Sequence, residues 1–154
     1  MVLPPLPTLP AFPAPTAGSF TVNSGTTQSR APGSYLTGTV NGGTLILAAG
    51  DYFFRSLTIN SGSTVRVTPT TRIFVRDSLI FNASLRATSG TAVQAIFLGF
   101  AGIDLSLNAR FDGTLVAPNA NVRFGTGSGL TFTGSFFGRI LEITPASTLV
   151  CRVN

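Results

Sequence analysis

With 154 residues the chain is one domain's worth, long enough to bury a core without disulfides or metals and short for a second folded unit. Hydrophobic residues make up 44% against 10% charged and the mean hydropathy is +0.40, so either the fold buries an unusual share of its surface or neighbouring molecules do. No histidine and a single cysteine exclude an intrachain disulfide, a cysteine zinc cluster, histidine-ligated metals and Ser-His or Cys-His nucleophiles.

The basic residues are all arginine, giving a net charge of +5 and a pI of 11.1, a balance that invites an anionic partner. Yet Arg30, Arg55, Arg66, Arg72, Arg76, Arg86, Arg110, Arg123, Arg139 and Arg152 are never adjacent and are mostly flanked by β-formers. That pattern reads as solvated outward strand positions and argues against nucleic acid. No apolar run approaches the roughly 18 residues of a membrane helix, so no transmembrane segment is expected.

In chain order, residues 1–18 come first as an extended arm. Six of the ten prolines (Pro4, Pro5, Pro7, Pro10, Pro13 and Pro15) alternate there with Val2, Leu3, Leu6, Leu9 and Phe12. Proline at that density favours polyproline II and cannot enter a sheet interior, while the apolar residues between seek a hydrophobic surface. The first nine residues lack a basic start and are broken by proline, so they do not read as a secretory leader.

Residues 19–154 have a different texture: short runs of Val, Ile, Leu, Phe and Thr cut by Asn-Gly, Ser-Gly and Gly-Gly, with no sustained helical period. The runs at 20–25, 38–43, 57–62, 79–84 and 105–110 share one form, apolar, any, apolar, Asn, small, and degenerate copies follow at 122–127 and 141–146. Their fourth residues stand at 23, 41, 60, 82, 108, 125 and 144, at intervals of 18, 19, 22, 26, 17 and 19. Such a period built from short strands fits one coil of a parallel β-helix. The expected fold is all-β, a single-stranded parallel β-solenoid of about seven coils and roughly 30 Å. An antiparallel sandwich tolerates the turn spacing but leaves the recurring tetrad unexplained.

Alternation within a rung aims Leu57, Ile59, Val65 and Val67 at the core and Thr58, Thr64 and Arg66 outward. Each asparagine marks a corner, where Asn and Gly tolerate left-handed backbone and stacked amides can form a ladder. The longest interval leaves room for an excursion, placed at residues 87–92. Cys151 reads as a small core residue of the last strand.

The stretch 113–122 (Gly-Thr-Leu-Val-Ala-Pro-Asn-Ala-Asn-Val), between Leu107-Asn108-Ala109 and Gly134-Ser135-Phe136-Phe137-Gly138-Arg139, resembles the closing rungs of bacterial β-solenoid surface domains. The runs 50–62 and 71–75 resemble earlier rungs of that group. The resemblance covers roughly residues 38–150, is most specific at Ala117-Pro118-Asn119-Ala120, and implies the solenoid fold and a bacterial, extracellular or cell-surface setting. In layout, a proline-rich tail before a β-helical core, the chain is similar to bactofilins, which polymerise end to end without nucleotide. A cytoplasmic filament follows instead if Met1 is the natural start.

Each end of a β-helix exposes unpaired backbone and core, a template for further strands unless it is capped. No cap is legible: the first coil follows directly on the arm, and the last strand, 147–153, is apolar with one arginine. The expected partner is therefore the chain itself, stacked head to tail. Leu149, Val150 and Val153 would form the terminal-rung interface, with Val2, Leu3, Leu6, Leu9 and Phe12 of the arm docking on outward Phe54, Phe74 or Ile80 of the same or a neighbouring subunit. An arginine-bearing face holding an anionic polysaccharide or other envelope polymer is the alternative.

No catalytic, metal or cofactor residues are assigned. The acids Asp51, Asp77, Asp104, Asp112 and Glu142 form no close pair for carboxylate catalysis. The glycine-rich run 125–129 lacks the lysine and helix of a phosphate loop. Thr-x-Thr, as at 68–70 and 131–133, recurs too sparsely for an ice-binding ladder.

Overall fold

The computed structural model describes residues 11–68, 70–87, 105–125 and 129–151. They contain no helix. The strands are β1 (Phe20–Asn23), β2 (Thr27–Arg30), β3 (Gly33–Asn41), β4 (Thr44–Leu47), β5 (Gly50–Ile59), β6 (Thr64–Val67), β7 (Thr71–Phe81), β8 (Ser84–Ala87), β9 (Leu105–Leu107), β10 (Phe111–Phe124), β11 (Thr131–Ile143) and β12 (Thr148–Cys151). No helix interrupts them because the runs between Gly, Asn and Pro are short and rich in β-branched and aromatic side chains, which suit a pleated surface.

Every pairing between these strands is parallel. One sheet runs β1-β3-β5-β7-β9-β10-β11-β12 and the other β2-β4-β6-β8. Parallel neighbours, joined by short turns in place of crossover helices where the connections are described, make a solenoid and rule out the antiparallel sandwich. The longer strands bend at a corner, so β5 lends Tyr52–Phe54 to one wall and Leu57–Ile59 to the next.

One interior row shows the register through the whole rod. Val22, Val40, Ile59, Phe81, Leu107, Phe124 and Ile143 stack one above the other. The seven members of that row enclose six intervals, and the solenoid has about six turns, where the marker count suggested about seven coils. Markers are posts and turns are the spans between them. At the ordinary interstrand spacing of about 4.8 Å six turns rise roughly 29 Å.

Alternation sets the core. Leu57, Ile59, Val65 and Val67 are buried, Thr58 and Thr64 are half-buried, and Arg66 is exposed. Where two bulky rows would collide the sequence has glycine: a β-carbon on Gly38 would lie 3.0 Å from both the Phe20 ring and Leu57. The asparagine rows are hydrogen-bonded, Asn60 Nδ2 donating to Asn41 Oδ1 at 2.6 Å and Asn108 Nδ2 to Asn82 Oδ1 at 3.0 Å. At three of the five asparagine corners the left-handed backbone falls on a glycine one or two residues on, Gly25, Gly42 and Gly62, with φ of 72, 74 and 77°. Glycine takes that conformation without the Cβ clash that asparagine would retain. Of the expected excursion at 87–92, Ala87 closes β8 and the remainder lies outside the described residues.

Since Leu45 is fully buried between Gln28 and Val65, Leu45→Ala should lower stability by about 2–5 kcal/mol in urea unfolding. Thr58→Ala, on the outward side, should change it by no more than about 0.5 kcal/mol.

Candidate functional site at the rod ends and the arm

The described part of the arm lies on the first coil as an incomplete extra strand. Thr16 and Ala17 both donate backbone N–H groups to Ser34 O, at 3.1 and 2.8 Å, and Leu36 N donates back to Ala17 O at 3.2 Å. Ser34 Oγ adds a bond to Pro13 O at 3.3 Å. Proline is tolerated here because the arm is the outermost strand, where a missing N–H leaves no ladder partner stranded.

Beside this backbone contact stands an outward apolar cluster. Phe12 meets Phe53 edge-on at 5.5 Å, and Phe53 stacks on Phe74 at 4.8 Å and 12°. Phe74 and Val116 are each only 2% exposed although they belong to a cluster separate from the interior core. Phe54 is not part of it: the side chain is fully buried, stacked on Tyr35 at 5.3 Å. The corner at Arg55 resets the alternation, so Tyr52 and Phe54 face in and Phe53 faces out. Sequence reading missed Phe53, although two adjacent aromatics in one strand must point to opposite sides. Ile80 is exposed at 45%, in the outward row Thr21, Thr39, Thr58, Ile80, on a wall other than the one Phe12 covers. Val2, Leu3, Leu6 and Leu9 lie outside the described residues.

The two ends of the interior differ. At the first coil the inward positions of β2 are Gln28 and Arg30, in register with Leu45 and Leu47. Arg30 Nη2 donates to Gln28 Oε1 at 2.7 Å, and Gln28 Nε2 donates to Thr21 O at 3.3 Å. The Arg30 guanidinium also sits 4.5 Å from the centre of the Phe20 ring, a cation–π contact. Beneath this polar roof Val22, the first member of its row, is fully buried. An uncapped first coil was expected; instead two polar side chains stand at its inward positions, their tips bonded to each other and to the β1 backbone, with Arg30 Nε buried and without a hydrogen-bond partner.

Among the described residues no such roof covers the last coil. Leu141 and Ile143 occupy the same inward rows as buried Val122 and Phe124, yet are 42% and 47% exposed. Among the described residues Phe137, Ile140 and Val150 are also exposed, so five of the seven exposed large hydrophobics belong to β11 and β12. Leu149 is partly buried against the core, Val150 is 43% exposed, and Val153 lies outside the described residues. Cys151 is exposed, not a core residue, because among the described residues no further coil stacks on its row beyond Gly134.

The charges are arranged between coils. Asp51 takes a bidentate pair from Arg72, its register partner, and Glu142 pairs with Arg123 one coil away at 2.9 Å. Asp77 accepts from Arg55 at 2.7 Å and from Arg76 at 2.8 Å. Those two guanidiniums hold the Asp77 carboxyl down at about 2. Arg139 donates to Asn121 Oδ1 at 3.2 and 3.1 Å. Asp51, Asp77 and Glu142 thus serve as arginine partners on the rod's outer surface, and Asp104 lies outside the described residues. Among the described residues no helix is long and apolar enough to cross a membrane.

Compared with protein-family models, curated proteins and solved structures, the chain matches none.

Asp77 is depressed in the folded state, so its pairs contribute fully above the ordinary carboxylate value of about 4 and fade as pH falls through about 2. The groups are exposed, which limits the gain to below about 1 kcal/mol. Carboxyl NMR should show the Asp77 midpoint near 2, and Asp77→Asn should flatten acid-limb stability over that window; a midpoint near 4 would mean the triad does not persist in solution.

Proposed function

We propose that this protein is a structural, self-associating β-solenoid subunit of a bacterial filament, sheath or extracellular matrix. The observation that carries the reading is the last coil, whose core-row side chains Leu141 and Ile143 are 42% and 47% exposed at an unpaired strand edge. Exposed, flat, apolar edge strands are templates for association unless blunted by charge, proline or a covering element. The apolar arm supports the same reading, since residues 12–17 already lie against a sheet wall and the remaining Val2, Leu3, Leu6 and Leu9 are of the same character. The resemblance of residues 113–122 to closing rungs of bacterial surface solenoids supports the extracellular or cell-surface setting.

The second reading, a surface module for an anionic polysaccharide, draws on the net charge of +5 and on exposed Arg66 and Arg110. It is the weaker one, because Arg55, Arg72, Arg76 and Arg123 already hold carboxylates and Arg30 and Arg139 hold amides.

Light scattering and negative-stain imaging of the full chain should show assembly that grows with concentration and survives high salt, as apolar contacts do. Isolated particles that bind acidic glycans at low salt and release them at high salt would favour the second reading.

A further inference from the structure

Granting self-association, the difference between the ends decides its geometry. A head-to-tail stack is a heterologous contact, which needs two different surfaces that fit each other. The first coil offers Gln28 and Arg30, bonded to each other and to Thr21 O, above a fully buried Val22. Laying Leu141 and Ile143 of another copy on that roof would strip water from a guanidinium and an amide and supply no new partner for either. The last coil, by contrast, presents apolar rows and an unpaired edge that a second identical edge can satisfy.

We infer that the first contact is tail to tail: a second copy of the chain seats its last coil on this one about a two-fold axis. Edge β11 and edge β12 then meet their counterparts antiparallel, and backbone groups on each edge find partners. Exposed Leu141, Ile143 and Cys151 are covered, while the roofs and the arms stand at the two outer ends of a double-length rod. The contact closes on itself. A filament or sheath is therefore built from such pairs through their arm-bearing ends or walls, and not by endless addition of single coils.

The test uses the full chain carrying Thr27→Cys with Cys151→Ser, which puts one spin label on the exposed outer side of the first coil, away from the contact. At the lowest concentrations that associate, before larger assemblies grow in, light scattering should give a dimer and pulsed electron resonance a label separation of roughly two rod lengths, about 60 Å. A separation near one rod length, about 30 Å, would overturn the tail-to-tail geometry and leave self-association standing. A monomer at every concentration would overturn both. Leu141→Glu with Ile143→Glu should abolish the dimer while leaving the β circular dichroism intact, and a dimer that persists in this variant would count against the last coil as the contact. Gln28→Leu with Arg30→Leu, which removes the roof, should let coils stack end to end at concentrations where the unaltered chain is a dimer; if dimers remain dimers there, the roof is not what blocks end-to-end stacking.

Discussion

Everything in this molecule depends on one coil lying in register on the next. Parallel pairing at a fixed rise means that each residue sits directly over its equivalent about twenty positions earlier. A residue choice is therefore repeated as a row: Val22, Val40, Ile59, Phe81, Leu107, Phe124 and Ile143 are a single decision made seven times. The outer rows obey the same constraint. Asn41 bonds Asn60 and Asn82 bonds Asn108 because stacking puts like amides within reach, and Arg72 meets Asp51 because register places them side by side. Opposite signs stack at Asp51–Arg72 and Arg123–Glu142, while Arg66 and Arg86 are like-charged register partners in the other sheet.

A stack that is stable in its middle has its difficulty at its ends. Each interior coil has apolar neighbours above and below, whereas the first and last have one. At the first coil, inward polar residues serve the end: Gln28 and Arg30 replace the leucines of the coil beneath and turn their polar tips onto each other. At the last coil the inward rows continue apolar through Leu141, Ile143 and Leu149. The arm adds a second boundary, on a wall, where Phe12 and Phe53 cover Phe74.

Much of this was legible in the residues and some of it was not, for physical reasons. The tetrad of apolar, any, apolar, Asn revealed the period, the parallel stacking and the amide ladder, because row chemistry is local in sequence. Inward and outward assignments succeeded on straight segments such as 57–59 and 65–67. They failed across corners: Arg55 interrupts the alternation, so Phe54 turned inward and the outward aromatic is Phe53. The roof escaped notice because Gln28 and Arg30, flanked by Thr27 and Ser29, read as an ordinary polar strand. Only their register with Leu45 and Leu47 shows that they point inward. A polar residue at an inward position of the first or last repeat is the signal that would have found it.

The composition posed a choice between a fold that buries an unusual share of its surface and neighbours that do so. The described residues show the first, together with an exposed apolar face of the kind the second would cover. The interior accounts for most large apolar side chains, among them Tyr52, Phe54, Phe81, Phe111, Phe124 and Phe132, all essentially without solvent contact. What the fold does not bury is unevenly spread, gathered in β11 and β12 and not scattered as on an ordinary monomer surface. Scattered apolar residues are ordinary, whereas each member of a row continuing a core lacks only the neighbour that every earlier member of the row has. Among the described residues the high mean hydropathy thus has two sources, a large interior and an apolar surface gathered mainly on the last coil, on a solenoid whose described acids largely face arginine.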